Sequence, residues 1–298
     1  MVGEDPIVIE HRIELPDGRV LAAAEVGDPG GVPVLYAHGF PGSRLGVGLV
    51  EAEAVRGGVR LIGLDRPGWG ESSPCRGRRL TDWPRDVAAA ADTLGCPRFN
   101  LLGVSGGSPF TLACAAGIPG RVGRVALVCG LGPVEAMRAG DGMMWHNRLG
   151  LGLASRTPWL VRPVMGLAGP LLRRFFDVAI DNLVRHAGPA DREVLTDPAI
   201  REVLGREFRE AFRHGGGGAA ADGLIYGAAW DLDFGKIEAP VFLWHGEDDP
   251  IVPPTMARWV AERVPGIRTT YSPGDGHFSI VVRRIPEILE VLGTDPAC

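Results

Sequence analysis

Phe99-Asn100-Leu101-Leu102-Gly103-Val104-Ser105-Gly106-Gly107-Ser108-Pro109-Phe110-Thr111-Leu112-Ala113-Cys114-Ala115-Ala116 opens as a short apolar run, passes through a serine set among glycines, and continues as a helix-like segment. Residues 103–107 fit G-x-S-x-G, a sharp turn that lifts a serine hydroxyl between a strand and a helix. The motif alone is weak. Its setting strengthens it, because Phe99–Val104 reads as a buried strand and Ser105–Ala116 as a helix, while the flanking glycines relieve crowding around a serine held in strained dihedrals. Ser105 is therefore the candidate nucleophile.

Working outward from the turn, short segments bounded by Gly or Pro read as strands at Ile7–Ile13, Val20–Val26, Val34–His38, Val59–Asp65 and Arg124–Cys129. Helix-like stretches at Ser43–Arg56 and Asp82–Leu94 lie between them, giving the alternation of an α/β fold with a mostly parallel sheet covered by helices on both faces. The alternation stops near Pro133 and resumes near Ala239, with strands at Val241–His245 and Ile267–Tyr271 and helices at Pro254–Val264 and Phe278–Leu292. This divides the chain into a first core part (1–132), a helical insert or cap (133–235) and a second core part (236–298). The insert follows a strand's carboxyl end, so it rises on the side of the sheet that carries Ser105. Val203 or Leu204, Phe208 and Phe212 recur there at helical spacing and predict an inward apolar stripe. Trp145, Trp230 and Tyr226 are the candidate pocket residues. His214–Gly218 reads H-G-G-G-G, and its place deep in the insert, after a helix-like segment, predicts a flexible hinge or linker.

A serine needs a base, and the base needs an orienting carboxylate. His277 follows the last strand in Gly274-Asp275-Gly276-His277-Phe278, and the preceding strand ends in His245-Gly246-Glu247-Asp248-Asp249-Pro250-Ile251-Val252-Pro253. The order is Ser, then Asp, then His, with the later partners in loops at strand ends. Position alone leaves Asp248 and Asp249 both open.

Two further motifs complete a pattern. His38-Gly39-Phe40-Pro41-Gly42 has the form H-G-x-P, and Asp65-Arg66-Pro67-Gly68-Trp69-Gly70-Glu71-Ser72 has the form D-x-x-G-x-G-x-S. Over nearly its whole length the chain resembles the α/β-hydrolase superfamily, in the serine-nucleophile branch that carries a helical cap. The resemblance implies Ser105 as nucleophile, His277 as base, and Asp249, the residue in register with G-x-x-D-x-x-V-P, as the acid. It also implies an oxyanion hole made by the backbone N–H groups of Phe40 and Gly106, and cleavage of a small to medium carboxylic ester without a cofactor. Related epoxide hydrolases and haloalkane dehalogenases use an aspartate nucleophile where this chain has Ser105. Proline iminopeptidases typically carry G-G-P-G where this chain has Gly39-Phe40-Pro41-Gly42. A lyase or cyclase built on the same fold, or a receptor that only binds its ligand, are the other readings.

Composition narrows the partners. With 31 basic and 36 acidic residues the net charge is −5, which disfavours nucleic acid and leaves a small-molecule substrate as the expected partner. Hydrophobic residues at 45% against 22% charged exclude a disordered chain. Met1–Glu14 lacks the basic and apolar segments of a secretory signal. Leu149–Leu172, the most apolar region, is broken by Arg156, Arg162 and prolines, so no membrane span and a cytoplasmic location are expected. Five cysteines (Cys75, Cys96, Cys114, Cys129, Cys298) are odd in number and form no C-x-x-C pair, so neither a disulfide framework nor a zinc site is called for. His38 has no second ligand at metal-binding spacing and is expected to hydrogen-bond within its loop. Metal ligands: none.

Overall fold

The computed structural model describes residues 8–137, 141–294 and 296. Met1–Ile7, residues 138–140 and Cys298 lie outside them, and with them the expected start of the first strand and one of the five thiols. Eight strands form one sheet: β1 (Ile9–Glu14), β2 (Val20–Gly27), β3 (Val32–Ala37), β4 (Val59–Leu64), β5 (Phe99–Val104), β6 (Val122–Val128), β7 (Val241–Gly246) and β8 (Arg268–Ser272). Their order across the sheet is β1-β2-β4-β3-β5-β6-β7-β8. β2 pairs antiparallel with β1 and β4, and every pairing from β4 through β8 is parallel. The expected α/β class and mostly parallel sheet are both present.

Successive strand residues point to opposite faces, so a strand buried on both sides must be apolar throughout. Leu35, Ile62 and Leu101 pack on one face with Trp83, Val87, Phe110 and Met256, which come from α2 (Trp83–Thr93), α3 (Ser108–Gly117) and a later helix at Pro254–Ala261. Their neighbours Val34, Leu61 and Leu102 pack on the other face with Ala54 of α1 (Glu51–Arg56) and Ile280, Ile285 and Ile288 of a last helix at His277–Leu292. The expected single helix over Ser43–Arg56 is two pieces, a 3-10 segment at Arg44–Leu49 followed by α1. Gly46 and Gly48 weaken a regular helix there, and Val50, at φ −133°, breaks it.

Among the described residues between β6 and β7 are six α-helices: α4 (Trp145–Arg156), α5 (Pro158–Arg174), α6 (Phe176–His186), α7 (Pro189–Thr196), α8 (Pro198–Ala211) and α9 (Gly217–Gly227). α5 runs on through Pro163 and Pro170, although each lacks the N–H that a helix interior uses. α10 is Pro254–Ala261 and α11 is His277–Leu292. No described helix is long and apolar enough to cross a membrane.

The glycine run Gly215–Gly218, expected as a hinge or linker, is in part closely packed. A Cβ on Gly216 would stand 1.9 Å from the Met165 carbonyl oxygen, and one on Gly218 would stand 2.6 Å from that of Gly68. Gly216 and Gly218 are required because backbones from α5 and from the Asp65–Ser72 turn meet here and Gly215 because its φ is +83°, while Gly217, with open space around it, begins α9.

Candidate active site

β5 delivers Ser105 at the carboxyl edge of the sheet with φ +52°, a left-handed conformation that few non-glycine residues adopt. The neighbouring glycines make the turn possible. A Cβ on Gly103 would lie 2.3 Å from Thr111 Oγ1, and one on Gly107 would lie 2.0 Å from the Ala37 carbonyl oxygen. The hydroxyl meets His277, with Nε2 3.0 Å from Ser105 Oγ, and His277 Nδ1 lies 2.7 Å from Asp249 Oδ2. Asp249 Oδ1 accepts from the N–H groups of Ile251 (2.8 Å) and Val252 (2.9 Å), which fixes the carboxylate in the loop after β7. With Nδ1–H donated to Asp249, Nε2 is free to accept the serine proton. Asp248 is exposed and points elsewhere.

The three residues are nearly sealed from solvent: Ser105 is 8% exposed, Asp249 3% and His277 7%. Burial opposes charge on His277, but the Asp249 carboxylate outweighs it, and its pKa is raised well above the ordinary imidazole value. Cys129, whose Sγ lies 3.9 Å from His277 Nε2, is itself held protonated by burial.

Next to this chain of hydrogen bonds lies the loop 38–42 after β3. A Cβ on Gly106 would collide with Phe40 Cβ at 2.8 Å and with the Tyr226 hydroxyl at 2.6 Å, so Phe40 and Gly106 are immediate neighbours. Arg66, fully buried, donates to the carbonyls of His38 and Gly39 and to Asp222 Oδ2 at 2.8 Å. Trp69 Nε1 donates to the same Asp222 oxygen at 2.9 Å, and Arg78 pairs with the other. Burial alone would protonate Asp222, yet Arg66 and Arg78 hold its carboxyl below the usual carboxylate range. His38 hydrogen-bonds within its loop as expected, through Nδ1 to the Gly39 carbonyl at 2.9 Å.

Two candidate pocket residues are placed otherwise. Tyr226 does not line the cavity: it is buried, and its hydroxyl donates to the Gly106 carbonyl at 2.8 Å, bracing the serine turn from behind. Trp230 is also outside the cavity. It leaves α9 on the path back to β7 and packs edge-on against Trp259 of α10, with ring centroids 6.4 Å apart. Trp145 does line it, as do Leu204 and Phe208 of the apolar stripe. The cavity holds about 890 Å³ and reaches from Ser105 and His277 to Phe176 and Ile285. Glu207 is the one carboxylate among its described lining residues, and burial pushes its pKa up to about 7.

Sequence reasoning missed Asp191. From α7 it accepts from the backbone N–H groups of His277 (2.8 Å), Phe278 (3.0 Å) and Ser279 (2.8 Å), and from Ser279 Oγ (2.7 Å). It caps α11 from a distant part of the chain, and α11 begins with His277. Satisfying several orphan N–H groups with one carboxylate at a helix start stabilises both partners. Asp191→Ala is expected to cost about 2 kcal/mol of stability and to lower kcat about tenfold with KM less affected; Asp191→Asn, which keeps one acceptor, should recover part of both. Chemical denaturation together with steady-state kinetics checks this. Lost stability with unchanged kcat would make the cap structural only.

Comparison with known proteins places these features. The family model described as alpha/beta hydrolase fold matches residues 32–152. The chain is 36% identical over 121 residues to the dihydrolipoyllysine-residue acetyltransferase component of the acetoin cleaving system of Pseudomonas putida, a match spanning 40% of this chain and 32% of that protein. It is 26% identical to the poly(3-hydroxyalkanoate) depolymerase of Ectopseudomonas oleovorans over 92% of this chain and 88% of that one. Among solved structures, a thermophilic esterase from Thermogutta terrifontis superposes with a TM-score of 0.66 at 21% identity, covering 96% of this chain and 100% of the other.

Proposed function

We propose that this chain belongs to the α/β-hydrolase superfamily, whose family model matches residues 32–152, and is a serine hydrolase that cleaves small to medium carboxylic esters through an acyl-enzyme on Ser105. The observation that carries the reading is the unbroken hydrogen-bonded series Ser105–His277–Asp249 opening into an apolar cavity. Ser105 Oγ attacks the ester carbonyl carbon as His277 Nε2 takes its proton, and Asp249 stabilises the imidazolium. The oxyanion is received by the N–H groups of Phe40 and Gly106, each worth about 3 to 4 kcal/mol in comparable sites. The alcohol leaves with the proton from His277. Water, deprotonated by the same nitrogen, then releases the acid and restores Ser105. Helices α4–α9 act as a cap over this site, and the likeness to a depolymerase that spans almost the whole chain supports ester chemistry.

Turnover of a p-nitrophenyl ester series of increasing acyl length by the purified chain is the direct test: saturable hydrolysis supports the reading, and no turnover of any member removes it. Trp145→Ala should shift the preferred acyl length by enlarging the cavity, with reactivity toward the acetyl ester changed less than about threefold. Trp230→Ala should leave the length profile as it was, since Trp230 packs outside the cavity.

The pH dependence follows from His277. Only neutral imidazole accepts the serine proton, so kcat/KM must rise with pH as His277 deprotonates. Because Asp249 raises the pKa of His277, the midpoint lies above the ordinary value of about 6.5. Removing that charge in Asp249→Asn should bring the midpoint down. A rate profile flat from acid to neutral pH would contradict the assignment.

A further inference from the structure

We propose that the outer face of α4 and α5 docks on an anionic phospholipid surface. Folding leaves Trp145, Leu149, Trp159, Leu167, Leu171 and Phe175 in solvent, with Leu167 75% exposed, Trp145 74% and Trp159 72%. Positions 159, 163, 167 and 171 step by four residues along α5, so Trp159, Pro163, Leu167 and Leu171 follow one slanting row, with Phe175 just past the end of the helix. Contiguous exposed apolar surface of this kind marks a place where something other than water is met.

Charge identifies what is met. From Trp145 to Phe176 there is no Asp or Glu, whereas Arg156, Arg162, Arg173 and Arg174 fall in this stretch of a chain whose net charge is −5, Arg148 there being paired with Asp141 and the exposed Asp177 following at its end. Arg156, Arg162, Arg173 and Arg174 are exposed, and none has a carboxylate partner among the described residues. A helix with tryptophan and leucine on one side and arginine beside them lies in a lipid interface, and negative headgroups add electrostatic attraction. A second copy of the chain fits worse, because a two-fold contact would set this positive face against itself.

The patch meets the cavity at Trp145, which is both exposed and part of the cavity wall. Docking would thus set the cavity opening against the surface, so that an apolar ester passes to Ser105 without crossing water. That last step rests on the hydrolase reading; the docking itself does not.

Sedimentation of the full chain with vesicles tests docking without turnover. Vesicles of equal parts phosphatidylcholine and phosphatidylglycerol should bind it roughly tenfold better than phosphatidylcholine alone, and added salt should weaken the binding because screening shortens the reach of the arginines. The double variant Leu167→Glu/Leu171→Glu should abolish binding, and Arg162→Glu/Arg174→Glu should remove the preference for the anionic vesicles. Both variants should hydrolyse a water-soluble short ester as the parent does, which separates lost docking from a failed fold or a failed hydrolase reading. Absent binding, or equal binding to both vesicle types, overturns the proposal. So does a dimer in sedimentation velocity that Leu167→Glu/Leu171→Glu dissociates, because the occupant would then be a second copy.

Discussion

Ser105→Ala is expected to lower kcat for ester hydrolysis by roughly 10⁶-fold while leaving the melting transition within a few degrees. The change removes one oxygen that hydrogen-bonds to His277 Nε2 and otherwise deletes little packing, so the fold has no reason to respond. The left-handed φ at this position stays as costly as before, because alanine keeps the Cβ that causes the crowding. Residual activity should be independent of His277 ionisation, since no proton remains to be taken. Active-site contamination is controlled by measuring whether the residual rate is inhibited by a serine-directed phosphonate. A purified variant that retains ester cleavage within tenfold of the parent would remove Ser105 from the mechanism.

The second large effect belongs to Asp249→Asn, expected at about 10⁴-fold in kcat. The amide keeps the shape of the carboxylate, but it can present N–H to His277 Nδ1. The ring then turns to the tautomer with Nε2 protonated and cannot accept from Ser105. Asp248→Asn is the matched control. Asp248 is adjacent in sequence yet exposed, and its backbone N–H donates to the Asp275 carbonyl at 3.0 Å. It should fall by less than about twofold. Steady-state kinetics of the two variants decides the register: the reverse ranking would place the acid one residue earlier.

Local signals in the chain account for the strands and the serine turn. Each buried strand had to be apolar on both faces, and a strained serine needed glycines where Thr111 and Ala37 crowd the backbone. Asp249 and Asp248 were separable only through a family pattern, because the loop hydrogen bonds from Ile251 and Val252 that distinguish them are tertiary facts. The insert was far less legible. Tyr226 and Trp230 look alike as aromatic residues near the end of one helical stretch, but one turns its hydroxyl to Gly106 and the other packs on Trp259. Asp191 is an N-cap for a helix that begins 86 residues later, so the usual signal of an acid just ahead of an apolar run is absent. Arg66 was visible within its motif, but its partner Asp222 lies 156 residues away and carries no local mark. Gly216 and Gly218 show the same limit, since flexibility and close packing call for the same residue.

The central claim is that Ser105 is a nucleophile activated by His277. Its most direct test is to treat the purified chain with an excess of a fluorophosphonate, digest it and map the adduct by mass spectrometry. One phosphonyl group per chain on the Ser105 peptide is predicted, formed in step with loss of ester hydrolysis, and formed far more slowly in His277→Ala and Asp249→Asn. An unmodified Ser105 in protein that still turns over esters, or complete inhibition with the adduct on another residue, would contradict the account.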